Sequence, residues 1–327
     1  MFVFGFSLQD QQPAVPFFAR LLSAVGCLLT SLLLSGLSLG ALASTTLTFS
    51  GGLEDTHWSI HGSIFECRFE QVIPDYGKAL FYHQAGEDVT FQLETDKNLM
   101  DYSQALVSIL PPNWQPSGKT EVLGSAKIID ETPNLSLDPE RTNQFLHALM
   151  EGKWPTLSHH TYYDRKRYIK VQLSALKFER YYRDYLACVR QLLPLNFSQV
   201  ERSKVFFSVG EKKLDNLDTE LLDKIIFYVK NDPRVFAIYL DGHSDNVGRR
   251  YNNRQISKAR VEDVERYFIK HGVSQDMITT RFHGGRYPVA DNKSAKGRAA
   301  NRRVTVRLEQ NEDMPIPDAL KFQLPLR

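Results

Sequence analysis

Apolar side chains recur with two different periods along this chain, and the change of period divides it. From Ser44 to about Leu195 short runs alternate. Thr90-Phe91-Gln92-Leu93-Glu94 and Tyr168-Ile169-Lys170-Val171-Gln172-Leu173 each put their apolar residues on one face, as half-buried strands do. Pro111-Pro112-Asn113-Trp114-Gln115-Pro116 breaks between strands. Asp138-Pro139-Glu140-Arg141 opens a short helix over 142–151, stopped by Gly152, and 177–193 is predicted to form a second. Pro194-Leu195-Asn196-Phe197-Ser198 ends that helix. Beyond it the order reads strand (203–208), helix (217–231), strand (235–240), helix (about 251–271), strand (279–282) and strand (304–308). The pattern predicts an α+β chain of two domains. Residues 44–198 form a mostly-β domain, 199–309 an α/β sandwich with helices on one face of a small sheet, and the proline-bearing 310–327 a loose tail.

Composition, 42% hydrophobic and 24% charged over 327 residues, is ordinary for a globular protein and changes little. The first residues change more. Arg20 precedes an apolar run from Leu21 that ends in Ala41-Leu42-Ala43, the pattern of a secretory signal over 1–43 cleaved before Ser44. Two alternatives, lipidation at Cys27 and retention of the run as a membrane anchor, also deliver the rest of the chain to the cell envelope. Removal of Cys27 leaves Cys67 and Cys188. An even count in an oxidising compartment favours one disulfide, worth roughly 4–5 kcal/mol for a loop of about 120 residues; two buried thiols are the alternative.

Charge is divided unevenly. Residues 44–198 carry 15 Lys and Arg against 19 Asp and Glu, whereas 199–327 carry 24 against 18. Basic side chains dominate from Arg249 to Arg307. No aromatic stacking pattern is interleaved with them, so with export the expected partner is an anionic polymer outside the membrane, not nucleic acid.

The candidate chemistry lies in this basic half. Asp245 sits in Gly242-His243-Ser244-Asp245-Asn246-Val247-Gly248, after the apolar run from Val235 to Leu240. Arg260 lies on the following helix. With Ile256 at zero and 100° per residue, Tyr267, Val264 and Phe268 fall near 20°, 80° and 120°, and Arg260 near 40°, within the apolar stripe. A cation on a buried helix face is costly without a charge-assisted partner. Asp245 is one candidate partner and a bound carboxylate another, so the pair reads as a socket for a zwitterion. An internal Asp245–Arg260 salt bridge without a ligand is the plainer alternative. Asp241, His243 and Ser244 lie too close in sequence to form a relay, and no nucleophile elbow is present. His243, Asp245 and His283 are weak metal candidates, His159-His160 reads as a surface pair, and Gly284-Gly285 lacks the lysine of a phosphate loop. No catalytic set, cofactor or metal is expected.

The loop of Asp245, Asn252, Ile256-Ser257-Lys258-Ala259-Arg260 and Asn301-Arg302-Arg303-Val304 together resemble the OmpA-like peptidoglycan-binding domain. The resemblance implies that Asp245 holds the ammonium of diaminopimelate in the wall peptide and that Arg260 holds its carboxylate. It also implies that Asn252 and Arg303 support the loop, and that Arg302 either supports it or contacts the ligand. Upstream, His57-Trp58-Ser59-Ile60, Phe65-Glu66-Cys67, Ile73-Pro74-Asp75-Tyr76-Gly77-Lys78-Ala79, Gly152-Lys153-Trp154-Pro155-Thr156, Tyr182 and Cys188 resemble the N-terminal domain of the MotY family of sodium-type polar flagellar proteins. That resemblance implies a non-enzymatic periplasmic ring component. Its first domain would bind the flagellar basal body and a MotX-like protein, its second would grip peptidoglycan, and the stator complex would be placed by both. The Cys67–Cys188 pair is consistent with that family's single disulfide. A general envelope tether is the competing reading.

Overall fold

The computed structural model describes residues 46–95, 103–112, 115, 117–161 and 167–323; the expected signal segment lies outside them. The alternating half forms two five-stranded sheets. In the first, β2 (His57–Gly62), β3 (Glu66–Ile73), β4 (Gly77–Gln84) and β5 (Thr90–Thr95) run as an antiparallel meander, and β8 (Leu135–Leu137) lies on the free edge of β5. The second has the order β1 (Thr46–Ser50), β10 (Tyr168–Gln172), β9 (Trp154–His160), β6 (Gln104–Leu110) and β7 (Glu121–Lys127). Among the described residues only β1 and β10 pair in parallel there.

The period of two does what it predicts. Cys67, Phe69 and Ile73 of β3 alternate inward, and Phe69 meets Trp58 at 4.5 Å and Tyr185 at 5.3 Å between ring centroids. Helix α1 (Pro139–Met150) starts where Asp138 accepts from the Arg141 N–H and Pro139 supplies a helical φ. Helix α2 (Phe178–Val189), shorter than expected, carries Cys188 against β3, and the Cys67–Cys188 disulfide joins positions 121 apart. His159 departs from the surface-pair expectation. The alternation of β9 turns it inward, where it is 1% exposed and bonded to the Tyr76 hydroxyl at 3.0 Å.

After α3 (Phe197–Val200), capped by Asn196 and Gln199, the second sheet system has the order β11 (Arg202–Phe206), β14 (Arg303–Gln310), β12 (Val235–His243), β13 (Ile278–Gly284). Strands β12 and β13 are parallel and the other pairs antiparallel. Helices α4 (Asn216–Asn231) and α5 (Arg250–Lys270) bring Leu222, Ile225, Val261, Val264 and Phe268 into one core with Ile238, Leu240, Val304 and Val306. This is the α+β architecture expected.

The tail corrects another expectation. Residues 311–323 are not loose against the fold. Ile316 and Leu320 pack on the second core and Phe322 on the first. The Phe322 N–H donates to Gly62 O at 2.8 Å, and the Ile64 N–H donates to Leu320 O at 3.0 Å. A short 3-10 turn, Asp318–Leu320, follows Pro317, and Ile316, Leu320 and Phe322 are half-buried, of which composition alone gave no sign. Phe65 also crosses the expected boundary: its ring lies 6.3 Å from that of Tyr228 and 4.4 Å from the Arg234 guanidinium.

Candidate functional site

Strand β12 ends under α5, and Gly242 permits the approach. A Cβ there would collide with Val261 Cγ2 and stand 2.5 Å from Ser257 O. The chain then turns through the loop that carries Asp245. Its Oδ1 accepts from the Val247 N–H at 3.1 Å, the Ser244 hydroxyl donates to Asp245 O at 3.0 Å, and Asn253 Nδ2 donates to the same carbonyl at 3.1 Å. The loop is therefore fixed from both ends before any ligand arrives.

Arg260 is buried on α5, as its phase predicts, and is only 1% exposed. Its partners are not the expected one. Nε donates to Glu211 O at 2.8 Å, Nη2 to Ser208 O at 3.2 Å and Nη1 to His243 O at 3.3 Å, while the guanidinium sits 4.9 Å from the Phe207 ring. No ion pair joins Asp245 to Arg260 among the described residues. Asp245 Oδ2 instead accepts from Arg302 Nη1 at 3.1 Å, and Arg302 Nε donates to Phe207 O at 3.0 Å. Burial, and then the nearby Arg302 cation, lower the Arg260 pKa to about 10, which still leaves it charged at neutral pH.

Asp245, Arg260 and Arg302 nonetheless line one cavity of ≈ 440 Å³, with Val209, Gly210, Ser244, Val247, Asn253, Ile256 and Arg298. Among the described residues Asp245 is the sole acid in that lining, beside three arginines. Three of the five Arg260 N–H donors are engaged by carbonyls, which leaves two without a carbonyl acceptor. The carboxylate of Asp245, with two acceptor contacts, keeps lone pairs for a donor.

Two expected site residues fall elsewhere. Asn252 is exposed and outside the cavity; Asn253, about 100° further round the helix, is the asparagine that faces the loop. Arg303, the first residue of β14, is absent from the cavity lining that Arg302 joins. It is 4% exposed, donates to Tyr287 O at 3.3 Å and leaves Nε and Nη1 without a protein partner. His243, beside it, stacks on His283 at 5.0 Å, and His283 bonds Asp241 at 2.9 Å. Burial first, then the Arg303 cation, push the His243 pKa down to about 4.

Sequence reading also missed Arg298. It stands on α6 (Ala295–Asn301), whose Ser294 cap accepts from the Gly297 N–H at 3.0 Å. Its run Ala295-Lys296-Gly297-Arg298-Ala299-Ala300 has no apolar stripe; the Ser294 cap was the one available signal. Asn301 at its end is fully buried and holds Val289, Ala290 and Asn292 through all of its amide atoms.

Residues 49–194 match the MotY N-terminal domain family and residues 206–302 the OmpA family. The chain carries a MotY N-terminal domain followed by an OmpA-family domain. The sodium-type flagellar protein MotY of Vibrio parahaemolyticus is 23% identical over 86% of this chain and 98% of its own length. The outer-membrane lipoprotein YfiB of Pseudomonas aeruginosa is 41% identical over 32% of this chain and 61% of its own. The C-terminal domain of Helicobacter pylori MotB, a solved structure, is 19% identical over 34% of this chain and 87% of that one, with a TM-score of 0.32. The cavity described above lies wholly within or beside the OmpA-family domain, and the disulfide within the MotY N-terminal domain.

Proposed function

We propose that this protein is a non-enzymatic periplasmic component of the flagellar motor that grips peptidoglycan through its OmpA-family domain. Its MotY-type domain holds the flagellar basal body and a MotX-like protein, so that stator complexes are placed against a fixed wall anchor. The observation that carries the wall-binding half is the cavity where one carboxylate, Asp245, faces the buried guanidinium of Arg260. An ammonium and a carboxylate on one carbon, as in the side chain of diaminopimelate, complement those two charges, and the arginine fork suits the carboxylate. The motor half is supported by the near-complete alignment with a flagellar MotY.

Two experiments test the two halves separately. The protein should co-sediment with purified sacculi, and loss of the gene should stop swimming while filaments still assemble. Sacculus binding together with normal swimming in the deletion strain would leave a general envelope tether. Failure to bind sacculi would remove the wall-gripping role.

A further inference from the structure

A second cavity, ≈ 710 Å³, opens on the far side of the Asp245 loop. Arg250, Arg254, Arg286 and His283 line it, with the rings of Tyr251 and Phe282, and among the described residues its lining contains no Asp or Glu. The three arginines are exposed, and none has an ion-pair partner among the described residues. Arg254 rests 5.0 Å from the Phe282 ring centroid, an arrangement that holds a guanidinium in place while its donors stay free. The first turn of α5 opens into the same space, and its N-cap residue, Arg249, makes no side-chain cap bond. Unspent N–H groups at a helix start add to the positive potential.

Close approach of backbone builds this groove. Gly284, at φ 58°, would bring a Cβ within 3.2 Å of Arg254 N, and a Cβ on Gly285 would lie 2.9 Å from Asp245 O. The loop between the cavities alternates: Asp245 and Val247 line the smaller, Asn246 and Gly248 the larger, and Asn253 lines both. The two cavities are therefore neighbouring compartments of one surface. One holds a carboxylate among its cations and the other has only cations. Three like charges around one groove repel each other unless an anion joins them.

We propose that this groove is a second subsite for the same wall strand, in which Arg250, Arg254 and Arg286 take the free carboxylates that a stem peptide carries beside its diaminopimelate. This rests on the peptidoglycan reading above, with the Asp245–Arg260 cavity as the first subsite. The division of labour is specific: the smaller cavity selects the zwitterion, and the arginine groove adds affinity that falls as salt rises.

The test titrates the full chain with two probes by calorimetry: free diaminopimelate, and a soluble disaccharide-tetrapeptide. The triple variant Arg250→Gln, Arg254→Gln, Arg286→Gln should bind the disaccharide-tetrapeptide roughly ten-fold more weakly or worse, as loss of charge-assisted hydrogen bonds requires. Its binding should also respond less to added salt, and its affinity for free diaminopimelate should stay within about two-fold of the parent's. Unchanged affinity for the tetrapeptide overturns the subsite. Equal weakening toward both probes overturns it as well, since the groove would then act only through the first cavity. Binding of neither probe by the parent chain would instead sink the peptidoglycan reading, and this one with it.

Discussion

Asp245→Asn is the sharpest perturbation of the site, because it removes a charge and little else. In the parent, Asp245 makes two polar contacts through its side chain, from the Val247 N–H and from Arg302 Nη1, both at 3.1 Å. Asparagine retains an oxygen for Val247 but can present a donor to Arg302. One charge-assisted bond is lost, worth roughly 1.5–3 kcal/mol. Arg302 keeps its bond to Phe207 O and borders the open cavity, so the cost to folding should fall at the low end, about 1.5–2 kcal/mol. The cost to binding is larger. The cavity lining goes from one carboxylate facing three arginines to three arginines alone. A ligand ammonium would then enter a purely cationic site, and affinity should fall by about 3 kcal/mol or more, over a hundred-fold. Calorimetric titration with diaminopimelate, beside a thermal melt of each protein, separates the two costs. A folded Asp245→Asn protein that binds within about three-fold of the parent would refute the role assigned to the carboxylate.

Other expectations follow from the same geometry. Arg260→Ala strips donors from the carbonyls of Ser208, Glu211 and His243 and should destabilise the domain by about 3–5 kcal/mol, read by denaturant unfolding; Arg260→Lys should retain more stability yet bind weakly, since it lacks the fork. Gly242→Ala forces a methyl group against Val261 and Ser257 O, and should cost about 2–3 kcal/mol, seen as a lower Tm. His243, 6% exposed, has its pKa pushed from 6.5 down to about 4, so the folded state resists its protonation. That penalty is absent above pH 6.5, grows as pH falls and is complete below about 4, where it reaches about 3 kcal/mol. A His243→Asn variant should accordingly lose less stability than the parent between those limits, in melts taken across the range.

Local rules carried the second domain far. Strand and helix periods in 203–308 name four strands and two long helices that form, because each buries a single face against one sheet, whereas the short α6 has no apolar stripe and gave no period. The helical phase of Arg260 foretold its burial. It did not foretell its partners, since the carbonyls of Ser208 and Glu211 come from the loop after β11 and that of His243 from the end of β12, and none leaves a side-chain signature. The same limit explains why Arg302, and not Arg260, bonds Asp245: the choice depends on how β14 lies beside the loop. Asn252 and Asn253 differ by one helical step, and only packing decides which faces inward. In the first domain the strands themselves were partly legible, whereas the parallel pairing of β1 with β10 joins residues far apart in sequence and carries no local mark.

The most direct measurement compares two stem peptides that differ only at the third residue, one carrying diaminopimelate and the other lysine, which keeps the ammonium and lacks the carboxylate beside it. With Arg260 lining the cavity next to Asp245, the diaminopimelate peptide should bind at least about ten-fold more tightly, as one charge-assisted fork requires. Equal affinity for the two peptides would contradict recognition of the paired charges and, with it, the wall-anchoring role.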